Sequence, residues 1–156
     1  MQTMQQKRAR YAMVEVLKLD DQSIPQKVKD EYKSYANALP AMIHMNGLGQ
    51  AAAFYKAKGS VKQDKIKKGE FDKGFAYRKL YELLSGWLIQ ADQPYRKPEN
   101  HEGSWDLMKG ITQNNMHDYR LAQAEAQALM DWVKKFASAY LVESAGSGEK
   151  TVTEEE

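Results

Sequence analysis

The chain has 156 residues, a formal net charge of +2 and no cysteine. That length suits one domain with a continuous core, and the missing thiols exclude disulfides, thiolate nucleophiles and cysteine-based zinc or iron–sulfur centres. No apolar run approaches the ~20 residues needed to cross a bilayer and the start, Met1 to Arg8, is polar, so the reading is a soluble, unexported, cytoplasmic protein.

Ala9, Ala12, Met13, Val16 and Leu17 recur at helical spacing and predict a first amphipathic helix over about 3–19, with Lys7, Arg8 and Arg10 on its opposite face. Asp20 to Pro25 forms a break with capping residues, after which Val28, Tyr32, Tyr35, Ala36 and Leu39 mark a second helix. Pro40 lacks an amide hydrogen and suits a first turn, so a short helix is expected from Pro40 until Asn46-Gly47 ends it. Leu48, Ala51, Ala52 and Tyr55 then share one face of the next helix, which makes 39–58 a tight corner between helices.

The segment from Gly59 to Gly69 is poor in apolar residues and reads as a mobile loop. It lies within 56–79, where nine Lys and Arg face Asp64, Glu70 and Asp72, the main basic excess of the chain. Such a concentration attracts polyanions, although a solvated lysine-rich loop has the same composition. Helix resumes near Glu70, carries the stripe Phe75, Ala76, Leu80, Leu83, Leu84, Trp87 and Leu88, and is closed by Pro94 and Pro98. Ser104 is expected to cap a short helix containing Trp105, Leu107 and Met108.

After the Asn114-Asn115 break, Ala122, Ala126, Leu129, Val133, Phe136 and Tyr140 alternate steps of four and three and predict the longest helix, about 116–142. Residues 143–156 hold five glutamates against Lys150 alone, and 144–156 reads as a disordered acidic tail. No segment has the period of two that a strand needs. The expected fold is all-α: one domain over 1–143, a compact bundle of about six helices, with the tail beyond it.

No catalytic set emerges. Gly47-Leu48-Gly49-Gln50-Ala51-Ala52 matches the G-x-G-x-x-A dinucleotide fingerprint, but that motif needs a preceding strand and the surroundings are helical. His44, His101 and His117 are the only histidines and none is at ligand spacing from another. His44 is expected to be half-buried near the corner, and His117 to help cap the last helix beside Asp118. The aromatics fall mostly on apolar stripes; Tyr55 and Tyr77 lie beside basic residues and are the candidates for stacking on bases. No metal or cofactor is expected.

The segment Tyr35 to Lys58, with Leu39-Pro40, Asn46-Gly47-Leu48, Gln50 and Ala53-Phe54, resembles the signature of the small all-helical subunit of Cmr-type (type III-B) CRISPR effector complexes, the fifth Cmr subunit. The resemblance extends to Lys7-Arg8-Ala9-Arg10-Tyr11-Ala12, to Tyr81-Glu82-Leu83-Leu84-Ser85-Gly86-Trp87-Leu88 and to the alanine-rich last helix, about residues 4–142 in all; the acidic tail has no counterpart. It implies a non-catalytic subunit of an antiviral RNA-targeting complex. Several copies would stack into a filament beside a backbone of RNA-binding subunits, near the large subunit, and help line the path of the guide RNA–target RNA duplex. Cleavage and nucleotide chemistry would belong to those other subunits.

The nucleic-acid-binding candidates come from charge rather than from the resemblance: Lys7, Arg8, Arg10, Lys56, Lys58, Lys62, Arg78 and Lys79. Two other readings compete. One is a helical protein–protein adaptor whose lysines are merely solvated; the other is a small enzyme using Gly47–Ala52 for a nucleotide.

Overall fold

A computed structural model describes residues 1–60 and 71–142. It contains six helices and, among the described residues, no strand: α1 (Met4–Leu17), α2 (Gln26–Asn46), α3 (Leu48–Gly59), α4 (Phe75–Leu88), α5 (Leu107–Gln113) and α6 (Met116–Tyr140). The all-α expectation holds. The loop assigned to Gly59–Gly69, except its first two residues, and the acidic tail lie outside the described residues, as does the Glu70 start proposed for α4.

Each helix begins for a local reason. Thr3 and Gln6 form a reciprocal capping box, in which the Thr3 hydroxyl accepts from the Gln6 amide and the Gln6 side chain accepts from the Thr3 amide, so α1 starts where two orphan donors are satisfied. Asn115 accepts from the Asp118 amide at 2.9 Å and starts α6; the capping role proposed for His117 is taken by this residue, and His117 is exposed. Ser104 does not cap α5 either. Asp106 does, accepting from the Lys109 amide at 3.1 Å, so Trp105 stands outside the helix with its indole N–H donating to the Tyr95 carbonyl.

Pro40 gives the largest departure from the sequence pattern. It lies inside one continuous α2 rather than at the start of a separate helix. An interior proline removes a hydrogen bond and presses on the preceding turn, at a cost of about 3 kcal/mol. The flanking Leu39 and Ile43 are fully buried, which favours continuity, and the Pro40 carbonyl accepts from the Gln127 side chain of α6 at 3.0 Å. The expected caps before α2 are absent: Pro25 occupies the cap position without a side-chain bond, and Asp21 folds onto the Ser23 amide at 2.8 Å.

The longest helix, α6, organises the rest by packing against α1 and α2, while α3 packs against α4 and α2. Its alanines at 122, 126 and 137 are fully or almost fully buried and let neighbouring backbones approach. Tyr32, Leu39, Ile43, Leu48, Tyr55, Leu80, Leu84, Leu88 and Leu129 form the shared interior.

Candidate nucleic-acid interface

The basic side chains separate by geometry into those already paired and those free at the surface. Arg8, although next to Lys7 in sequence, turns inward. Its Nε and Nη2 donate to the two carboxylate oxygens of Glu125 at 2.7 Å each, and the Trp87 indole N–H donates to the same carboxylate at 2.8 Å. Burial pushes the Glu125 carboxyl up, but the Arg8 and Trp87 donors outweigh it and hold the pKa below its ordinary value. The paired carboxylate correspondingly raises the guanidinium.

Arg78 is likewise committed. It donates to the Asp72 carboxylate at 2.8 Å and to the Gly59 carbonyl at 2.8 Å. Asp72 also accepts from the Gly74 amide, and these donors, Arg78 foremost, depress its carboxyl. The result is a clamp across the chain segments on either side of 61–70. Glycine is needed here: a Cβ on Gly59 would lie 2.7 Å from the Arg78 backbone, and one on Gly74 would lie 2.5 Å from the Lys58 carbonyl.

Lys56 reaches Asp106, which accepts from its Nζ and from the Tyr81 hydroxyl at 2.6 Å each while capping α5. Burial raises the Asp106 carboxyl, and these hydrogen bonds bring it below its ordinary value. Lys79 is 3.5 Å from Glu82 and rests over the Phe75 ring. Lys58 lies over the Phe54 ring at 5.6 Å and projects to solvent. Lys7 and Arg10 are exposed and line a shallow groove with Val14, Trp87 and Asp92. Lys62 lies outside the described residues.

The structure therefore brings Lys58, Arg78 and Lys79 to the α3–α4 junction and sets Lys7 and Arg10 along α1. The two groups do not form one paired network among the described residues. Of the aromatic candidates, Tyr55 is buried with its hydroxyl donating to the Tyr35 carbonyl, and Tyr77 stacks on Tyr35 with centroids 3.9 Å apart. Neither presents a free pair of ring faces to a base.

The helix corner takes a different form from a nucleotide loop. Gly47, at φ 86° and ψ 158°, both ends α2 and precedes α3. The first amides of α3, the groups a pyrophosphate would need, are already bonded: Leu48 N–H donates to the Gln123 side chain at 3.0 Å and Gly49 N–H to the Tyr119 hydroxyl at 2.9 Å. No strand precedes them, so the dinucleotide reading fails at this corner. His44 is exposed rather than half-buried.

The sequence reading missed the Glu125 and Asp106 hubs, and local spacing carried no signal for them: the partners of Glu125 are 117 and 38 residues away.

These features define an all-helical fold in which Glu125, Asp72 and Asp106 engage Arg8, Arg78 and Lys56, with other cations exposed at the surface. No helix among the described residues is long and apolar enough to cross a membrane. A family model described as CRISPR-associated protein (Cas_Cmr5) matches residues 4–140. That span runs from the first residue of α1 to the last of α6, and the chain belongs to this family, the Cmr5 subunits of type III-B CRISPR complexes. It is a structural family whose membership implies association with other subunits of the Cmr complex.

Proposed function

We propose that this subunit is a non-catalytic scaffold of the cytoplasmic antiviral complex. Copies stack on one another beside the backbone RNA-binding subunit and the large subunit, and together they help hold the guide RNA–target RNA duplex. The observation that supports direct RNA contact is the division of the cations. Lys7, Arg10, Lys58 and Lys79 remain free or weakly paired at the surface, whereas Arg8, Lys56 and Arg78 are engaged by Glu125, Asp106 and Asp72. Long, exposed cations without a fixed geometry suit phosphate contacts, which position a duplex without reading its bases. The non-catalytic reading rests on the structural family and on the use made of the shifted carboxylates Glu125, Asp72 and Asp106, which tie helices together or cap them.

A second reading, an adaptor that touches only protein, is favoured by the Trp132, Phe136 and Tyr140 ladder on α6, whose rings follow one another at 5.6 and 6.1 Å and are partly exposed. The two readings are tested together by purifying the tagged subunit from its host at moderate salt, identifying partners by mass spectrometry and sequencing bound RNA. Cmr subunits with guide RNA are expected. The charge-reversed variant of Lys7, Arg10, Lys58 and Lys79 then decides between them: the scaffold reading expects a flatter salt dependence of RNA retention, and an unchanged one favours the adaptor.

A further inference from the structure

The outer face of α1 keeps its positive charge. Lys7 and Arg10 are exposed and make no ion pair among the described residues, and the one acid of α1, Glu15, is taken by Lys18 at 2.8 Å. The groove that Lys7 and Arg10 line holds a single carboxylate, Asp92, so the cations outnumber it. Gln2 marks one end of the groove, and the first turn of α1 beside it carries no acidic side chain.

The chain itself brings an anion to this end. Gln5 accepts from the Trp132 indole at 3.0 Å, and further along α1 Arg8 meets Glu125, which lies further back along α6. The two helices therefore run antiparallel, and α6 ends beyond the start of α1. Residues 143–156, which follow, carry five glutamates against Lys150, a net charge of −4.

Reach separates the two groups of free cations. With Gln5 and Trp132 level, Tyr140 at the end of α6 and Arg10 are about 20 Å apart along the helix axes at the usual rise per residue. Lys79 shares a cleft with Leu19 and Ile24 at the far end of α1, about 33 Å from Tyr140 on the same measure. Glu149 can extend at most about 30 Å past Tyr140, so it covers the α1 groove and falls short of Lys79.

We propose that segment 143–156 docks on the Lys7–Arg10 groove of its own chain in the free subunit and stands there in the place of RNA phosphates. The competition with RNA rests on the RNA-contact reading above; the docking does not. Exposed carboxylate–cation contacts are individually weak. A short tether offsets this by holding the segment at an effective concentration of about millimolar. The segment thus shields the groove from isolated anions and yields to a duplex that meets many cations at once.

The chain has no cysteine, so Ser147→Cys gives the full-length protein one site for a nitroxide label. In the nitrogen-15-labelled chain at low salt, the label should broaden the amides of Lys7, Arg10 and Val14 more than those of Lys58 and Lys79, and high salt should abolish the difference. Broadening absent from α1, equal at the two places, or unchanged when the five glutamates are replaced by glutamine overturns the docking. Equal broadening in a mixed sample, with nitroxide and nitrogen-15 on different chains, overturns it too, because the contact is then between copies.

An RNA duplex is then titrated against the native and five-glutamine chains. The variant should bind roughly two- to fivefold more tightly at low salt, since the segment no longer occupies part of the groove. That gain should vanish when Lys7 and Arg10 are also replaced by glutamine; a gain that persists is a general charge effect and overturns the competition. Equal affinity of native and variant chains overturns it as well and leaves the RNA-contact reading standing. Binding by neither chain, with the broadening intact, removes the RNA-contact reading and upholds the docking.

Discussion

Arg8 on α1 and Glu125 on α6 are 117 residues apart and are joined by two parallel hydrogen bonds of 2.7 Å. Their side chains are only 16% and 13% exposed, and Trp87 of α4 donates to the same carboxylate. One ion pair therefore ties three helices, and it removes from the surface a charge that its neighbours Lys7 and Arg10 keep there.

Glu125→Gln leaves the Arg8 guanidinium without its countercharge and is expected to cost about 2–3 kcal/mol, since hydrogen bonds to charged groups and partly buried pairs carry that scale. Urea unfolding at neutral pH measures it. Lys7→Gln, at an exposed and unpaired position, should change stability by no more than about 0.5 kcal/mol.

The pH dependence has a definite sign. Glu125, Asp72 and Asp106 have depressed pKa values in the folded chain, so the unfolded chain binds more protons near and below their ordinary values of 4.5 and 3.8. Their stabilisation is complete above that range and is lost as pH falls through the folded values. Urea midpoints measured from neutral to strongly acid pH should fall on acidification, and Glu125→Gln should show a shallower fall than the native chain.

Gly47→Ala places a side chain at φ 86° and a Cβ 2.8 Å from the Tyr119 hydroxyl. The expected cost is about 1–3 kcal/mol, because this backbone region is almost restricted to glycine. Gly103→Ala is the control: its φ is 91°, but nothing lies within 4 Å of the added Cβ. Its loss of melting temperature should be the smaller of the two, and an equal loss would show that the Tyr119 contact carries no weight.

Tyr95 is completely buried, and its hydroxyl has no partner among the described residues. Burial pushes that phenol up to about 12. Tyr95→Phe removes an unpaired polar atom while keeping the ring that packs on Gly110, so stability should be unchanged or raised by up to about 1 kcal/mol. Thermal unfolding of the variant checks this, and a clear loss would mean that the hydroxyl has a partner.

The helices were legible where apolar residues repeat over several turns, as in α1 and α6, because the face that packs is written in local spacing. Pro40 was misread because its local rule, first turn or break, is overridden by burial of Leu39 and Ile43 and by the Gln127 contact, all of them tertiary. The start of α5 lies two residues beyond the Ser104 cap expected from sequence: Asp106, which also accepts from Lys56 and Tyr81, takes the cap position, and those partners are remote in sequence. The candidate interface divides the same way. Charge density marks where basic residues concentrate, but pairing of Arg8 with Glu125 depends on packing that no local pattern encodes, so composition could not separate clamps from free cations.

The most direct measurement of the central claim is the salt dependence of RNA retention by the assembled complex, compared between native subunit and the Lys7, Arg10, Lys58 and Lys79 charge reversal. Each lost phosphate contact should lower the slope of log affinity against log salt by about 1. The account predicts a flatter slope with unchanged subunit stoichiometry. An unchanged slope in a fully assembled complex would contradict it, and would leave the chain a scaffold that touches only protein.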